Sequence, residues 1–445
     1  MRRTEILKRL ALVLSVFVLL LAASATVAEA ASCERKVVEQ VNKITKEQLK
    51  TEEEEEKRLK ILFEYVEQEY SVFDMLEFIS YENWEKEYAV GLYTAKEGNC
   101  YHFAAAYAFL ARKATDFEVR IGLGKTNALT EGNLQNHAWA EVKLYGEWYI
   151  FDTFLDKVVG NGSGEYFMMA KEDGKEIYDN YKSAEYIKVV RKKQWLREEG
   201  KKYYLKSDWE FPMGSYKIDG KYYIFNTKGM LLQPKKNSLA KVGKNTYYVS
   251  TKGKAISGWH IIQGKLYSVK KTGAVRKNTK YEGITFTSSG AAQNNEACKL
   301  KKKVMQIVVS VTEEDMTKQQ KLLACWNYMV NGKRFRYVSK YPNLNAKGWT
   351  RKTAYNMLST KTGNCYSFAC AFAALTNEIG YKPYVVCARI SGRRDGARDG
   401  LTRHAWVRLN GRNYDPEAQF AGWRRGIYNR KGYPIRHVIQ RIVHY

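Results

Sequence analysis

The chain has 445 residues, with 74 Lys and Arg against 47 Asp and Glu, giving a formal net charge of +27. That balance, with no acid after Glu417, gives a basic surface suited to anionic polymers or membrane surfaces. An export-like start and the lack of any recognisable nucleic-acid module argue against nucleic acid. Six scattered histidines without Cys or His clusters at ligand spacing, and no dense carboxylate loop, imply no metal and no cofactor.

In chain order, residues 1–30 read as a secretory signal: Arg2, Arg3, Lys8 and Arg9, an apolar run from Leu10 to Ala23, then Ala28-Glu29-Ala30. The mature chain is therefore expected outside the cell without a stable transmembrane anchor, and it is long enough for two or three domains. Cys33 lacks a large aliphatic residue three positions earlier, so lipid modification is not expected. Helical spacing of Ile61, Leu62, Tyr65 and Val66 follows a carboxylate run, Glu52 to Glu56, which reads as a solvated helix start.

Gly98 to Ala111 and Gly363 to Thr376 carry one cysteine pattern twice, at an offset of 265 residues that holds from Trp84 and Trp349 to Cys100 and Cys365. Two similar domains therefore share the polypeptide. Asn99 and Asn364 are placed to cap a buried helix, which puts each cysteine in the first turn, where the helix dipole favours thiolate. Each motif is followed by a β-like segment, then an HAW strand with His137 or His404, then Asp152 or Asp415. Strands paired outward from turns at Tyr145-Gly146 and Asn410-Gly411 set His137 opposite Phe154 and His404 opposite Glu417, with each aspartate two residues nearer the turn on the histidine's face. The His to Asp separations, 15 and 11, differ by two residues in each strand, which preserves facing because the side-chain period is two. The alternating face, Ala138, Ala140 and Val142 or Ala405 and Val407, should pack on a core. The histidine face should look toward the cysteine helix or a cleft. Of the other cysteines, Cys370 and Cys387 read as buried thiols, and pairing of Cys298 with Cys325 is left open.

Between the copies, residues 193–292 turn rich in Gly, Lys and paired aromatics, with Gly229, Gly253 and Gly273 closing successive units. A period near twenty implies a β-hairpin array or solenoid. The segment resembles cell-wall-binding repeats of the choline- and glucan-binding type. That resemblance makes Trp209, Tyr222, Tyr223, Tyr247, Tyr248, Trp259 and Tyr267 candidate wall-binding aromatics. The bland reading is a spacer.

Both flanking segments, 31–192 and 293–445, resemble the transglutaminase-like domain, a papain-related α+β fold of N-terminal helices, nucleophile helix and antiparallel sheet. The resemblance implies Cys100 and Cys365 as nucleophiles, His137 and His404 as general bases, and Asp152 and Asp415 as the groups orienting the imidazoles. It also implies an oxyanion or pocket role for Trp84 and Trp349, beside the alternative of core packing. The implied function is a secreted, wall-associated thiol enzyme acting on peptide or protein amides, by hydrolysis or acyl transfer. Its repeats would dock on a wall polymer such as teichoic acid, glycan or peptidoglycan. The alternative is a non-catalytic surface scaffold built from the same domains.

Overall fold

The structure, a computed structural model, describes residues 33–73, 78, 81–130, 133–179, 184–331, 334–422 and 427–445. The expected signal at 1–30 lies outside them. No helix among the described residues is long and apolar enough to cross a membrane. The described chain falls into two compact units, one ending at Ile256 and the other beginning at Ser257.

In the first unit, helices at residues 33–49, Glu55–Glu69 and Trp84–Ala95 surround the helix Cys100–Ala114, twelve of whose fifteen residues are buried. Five of those twelve, Ala104, Ala105, Ala106, Ala108 and Ala111, let neighbouring backbones come close to this central helix. Against it lies an antiparallel sheet in which Gln135–Leu144 pairs with Val119–Thr126 on one side and Glu147–Phe151 on the other. Tyr145 and Gly146 both take positive φ, 52° and 89°, as Asn410 and Gly411 do at 47° and 74°. Such a turn matches the twist of the strands it joins and sets their register.

The second unit repeats the plan. Helices Glu296–Val311, Lys318–Val330 and Trp349–Thr360 precede the helix Cys365–Glu378. A five-stranded sheet then runs in the order Ile427–Arg430, Arg412–Asp415, Leu401–Leu409, Tyr384–Ser391, His437–His444. One core joins the cysteine helix to Val385, Cys387, Ala405, Val407 and Leu409, while Val386, Ala388, Ile390 and Trp406 form a separate cluster with Tyr433. The helix body thus takes the alanine face, and the histidine face has its own apolar cover. The sheet of the second unit is thus buried on both sides, where the histidine face was expected to look toward the cysteine helix or a cleft.

Five antiparallel hairpins occupy residues 194–286, three in the first unit and two in the second. Three tails return to the preceding hairpin: Leu231 N–H bonds Lys202 O at 2.7 Å, Ala255 N–H bonds Tyr222 O at 2.9 Å, and Ala292 N–H bonds Leu266 O at 2.8 Å. A lone hairpin is marginal in water, and this stitching covers successive hairpins within each compact unit. All seven cysteines are free and buried, Cys298 and Cys325 included. Burial pushes the Cys325 and Cys387 thiols up to about 12, which suits inert core positions.

Candidate active site

A two-residue parallel ladder leads into each cysteine: Val72 pairs with Gly98, and Tyr337 with Gly363. The next residue is the cap. Asn99 Oδ1 accepts from the His102 N–H at 3.4 Å, and Asn364 Oδ1 from the Ser367 N–H at 3.3 Å. His102 completes the cap, its Nδ1 accepting from the Asn99 N–H at 3.4 Å, and burial lowers its pKa to about 4, so it serves the turn as a neutral side chain. Cys100 and Cys365 follow as the first helical residues, 6% and 0% exposed.

Ala140 pairs with Phe151, and the same register carried onward sets His137 across from Phe154, whose ring lies 5.9 Å away. The return strand stops at Phe151, however, because Asp152 caps the short helix Thr153–Val158, its Oδ1 accepting from the Leu155 N–H at 2.9 Å. Its Oδ2 lies 2.6 Å from His137 Nε2 and accepts from Tyr178 Oη at 2.8 Å. The second unit has the same set: Asp415 Oδ1 takes the Ala418 N–H at 3.0 Å, and Oδ2 meets His404 Nε2 at 2.5 Å and Tyr433 Oη at 2.7 Å. Asp152 reaches its histidine as a helix cap just past the strand end, whereas Asp415 is both the last residue of its strand, diagonal to His404 as expected, and the cap of the next helix. Two anchored oxygens fix the carboxylate, and the carboxylate fixes the ring.

With Nε2 so held in the first unit, Nδ1 is the nitrogen of His137 that remains. His137 Nδ1 has no hydrogen-bond partner among the described residues, and Cys100 is near enough to act on the ring. Burial disfavours the charged imidazole, yet the negative charge of Asp152, and then that of Cys100, outweighs it and raises the pKa to about 10. The same opposition of burial against Asp415 and Cys365 leaves His404 well above its ordinary value. Both shifts are toward imidazolium, a state that stabilises a neighbouring thiolate.

The family model described as the Transglutaminase-like superfamily matches residues 42–153 and 305–416. The chain belongs to the transglutaminase-like superfamily. Each matched segment ends beside its capping aspartate, so the nucleophile helix and histidine strand of both units lie within the family core. Comparison with curated proteins gave no match. Similar solved structures include the choline binding domain of a Streptococcus pneumoniae protein, 25% identical over 19% of this chain and 96% of that one, with a TM-score of 0.16. Choline binding protein F from Streptococcus pneumoniae is 19% identical over 38% of this chain and 46% of that one, with a TM-score of 0.19. A pneumococcal cell wall endolysin from phage Cp-1, complexed with choline, is 22% identical over 20% and 27%, with a TM-score of 0.15. The chain spans less than half the length of the last two.

Within the transglutaminase-like cores, Trp84 and Trp349 begin the helices that precede the cysteines, and both are buried. Their rings stand edge-on to the tyrosine after each cysteine, Trp84 to Tyr101 at 6.1 Å and Trp349 to Tyr366 at 6.2 Å. Tyr178 and Tyr433 were missed by sequence reasoning, because they follow their aspartates by unequal distances, 26 and 18 residues. The shared signal is spatial: Tyr178 lies 4.9 Å from Trp139 and Tyr433 stacks 3.9 Å from Trp406, the tryptophans of the two HAW motifs. Gly122 makes room for the first of these, since a Cβ there would stand 2.5 Å from the Trp139 indole.

The second site also has a carboxylate that the first lacks. Glu417, in the register place of Phe154, is buried with Oε2 3.8 Å from His404 Nδ1, and burial raises its pKa. His404, Asp415 and Glu417 bring ligand-type atoms within 4.8 Å of one another. His404 Nε2 and Asp415 Oδ2 are engaged with each other, so a cation would have to break that bond.

The candidate wall-binding aromatics do not form one exposed set. Trp209 is 1% exposed, belongs to the core of the first unit and lies 5.6 Å from Phe109 of the cysteine helix. It is a packing residue, because the closing turn of the first hairpin folds onto the domain. Tyr247 and Tyr267 are buried as well, whereas Tyr222, Tyr223, Tyr248 and Trp259 are half-buried. Lys301 Nζ stands 4.7 Å over the Trp259 ring. Trp195, outside the predicted set, gathers Tyr204 at 5.1 Å, Tyr223 at 5.2 Å and Lys202 Nζ at 4.1 Å.

Proposed function

We propose that the protein is a secreted, wall-associated thiol enzyme with two sites, Cys100-His137-Asp152 and Cys365-His404-Asp415, acting on amide bonds of peptides or proteins. Its transglutaminase-like domains, 31–192 and 293–445, flank a hairpin module at 193–292 that docks on an anionic wall polymer. The observation that supports the enzymatic reading is the matched pair of sites: in each, a capping aspartate engages Nε2 of a buried histidine whose ring also interacts with a cysteine at a helix start.

The chemistry is acyl transfer. The Cys Sγ thiolate attacks the amide carbon, forming an S–C bond and an oxyanion. The backbone N–H groups of Cys100 and Cys365 open their helices and are the natural donors to that oxyanion, with Trp84 and Trp349 walling the pocket. Collapse breaks the C–N bond as the imidazolium gives its proton to the departing nitrogen. Water or an amine then attacks the thioester while the imidazole takes up the incoming proton. The net charge of +27 and the half-buried aromatics of the hairpins support docking on an anionic polymer.

The test is release of ammonia, and incorporation of a fluorescent primary amine, from a glutamine-containing protein such as casein, with Cys100→Ala, Cys365→Ala and the double variant alongside. Loss of product in the double variant supports the reading. Equal signal from wild type and double variant would sink it.

A further inference from the structure

The two sites share their machinery and differ in their walls. Strand register identifies the equivalent positions. Val72 and Tyr337 both pair with the glycine before the Asn-Cys turn, and Lys125 with Asn136 corresponds to Arg389 with Arg403. In the first unit no Lys or Arg occurs between Thr126 and His137, and the described Ala128 and Leu129 pack against the core. In the second unit the corresponding loop brings Arg394 to the cysteine. The Arg403 carbonyl oxygen lies 4.0 Å from Cys365 Sγ and accepts a hydrogen bond from Arg394 Nη2, so the guanidinium stands one carbonyl away from the sulfur. Nη1 donates to Tyr337 Oη at 2.9 Å, which fixes the group between its two partners.

The local charge does not cancel. Asp395 Oδ2 takes the backbone N–H and Nε of Arg403 at 2.8 and 2.9 Å, and only its other oxygen approaches Arg394 Nε, at 3.5 Å. Glu417 is buried, with its Oε2 turned to His404 Nδ1 at 3.8 Å. One positive charge is therefore left over beside Cys365, on a side chain still about one-third exposed and so open to an incoming group. A guanidinium and a phenol side by side match a carboxylate in geometry and sign.

We propose that the Cys365 site takes acyl donors carrying a carboxylate next to the scissile amide, gripped by Arg394 with Tyr337, whereas the Cys100 site takes neutral donors. This rests on the reading of Cys365 as a nucleophile. Arg394 is then a specificity-determining residue that touches the substrate.

The test compares two alkylating probes of similar size, anionic iodoacetate and neutral iodoacetamide, each forming an S–C bond with loss of iodide. Rates at Cys100 and Cys365 are read by mass spectrometry on the full-length protein. The iodoacetate to iodoacetamide ratio should be at least about tenfold higher at Cys365 than at Cys100. It should fall to the Cys100 value in Arg394→Gln and be partly kept in Arg394→Lys. Equal ratios at the two cysteines, or a Cys365 ratio indifferent to Arg394→Gln, overturn the proposal, as does a Cys365 that neither probe reaches. Failure of the parent reading looks different: both cysteines would react with iodoacetamide no faster than Cys298 and Cys325.

Discussion

Asp152→Asn removes a charge and little else, which makes it the sharpest perturbation of the first site. Asn caps helices about as well as Asp, so its Oδ1 can keep the Leu155 N–H now held at 2.9 Å. The amide nitrogen then replaces the Oδ2 that His137 Nε2 meets at 2.6 Å and Tyr178 Oη at 2.8 Å. A donor facing two donors drives the neutral imidazole into the other tautomer, with its proton on Nδ1, and removes the charge that outweighed burial. Without an imidazolium beside it, the Cys100 sulfur loses the neighbouring positive charge that favours thiolate. Iodoacetamide labelling of Cys100 at pH 6.5 should therefore slow by about tenfold or more, each tenfold step being about 1.36 kcal/mol of lost charge stabilisation. Amide turnover should fall by roughly 10³ to 10⁴, the cost of the wrong tautomer in comparable sites. Asp152→Ala adds loss of the cap, about 1 kcal/mol of stability. A folded Asp152→Asn protein that labels at pH 6.5 as fast as wild type would refute the reasoning.

Three other expectations follow from the same geometry. The His137 pKa is raised to about 10 from an unfolded value of about 6.5, so the stability of the His137–Asp152 pair is fully present below pH 6.5 and is lost as pH climbs through about 10. The thermal midpoint of the first unit should fall over that window and fall less in Asp152→Asn, and a midpoint rising from pH 7 to 10 would contradict the assignment. Tyr433→Phe leaves Asp415 Oδ2 without one of its donors, costing about 0.5–1.5 kcal/mol of stability and less than tenfold in labelling rate at Cys365. Denaturant titration and alkylation kinetics measure the two, and a loss as large as that of Asp415→Asn would show that the phenol does more than position the carboxylate. Trp209→Ala should destabilise the first unit by roughly 3–5 kcal/mol while leaving wall binding by folded protein unchanged, measured by pelleting with purified cell walls. Normal stability with lost pelleting would return Trp209 to the ligand surface.

Much of the site was legible in the chain because its determinants are local. A turn, a capping Asn, a first-turn Cys and a buried run of alanines are all read within fifteen residues, and the two-residue turns at Tyr145-Gly146 and Asn410-Gly411 carry the strand register that brings His137 and His404 into place. The doubled pattern, the hairpin module and the transglutaminase-like family follow from such short-range signals repeated along one polypeptide. What only the tertiary structure decided is whatever depends on which distant segments meet. Tyr178 and Tyr433 arrive from loops of unequal length, Trp209 turns inward because its hairpin closes on the cysteine helix, and the histidine face of the second sheet is covered by Ile427 and Tyr433 from later chain. Arg394 stands beside Cys365 because a loop folds back until its guanidinium reaches the Arg403 carbonyl and the Tyr337 hydroxyl. A cap or a turn is fixed by neighbours a few bonds away, whereas a side chain's burial and charge environment are fixed by packing against residues the local sequence does not name.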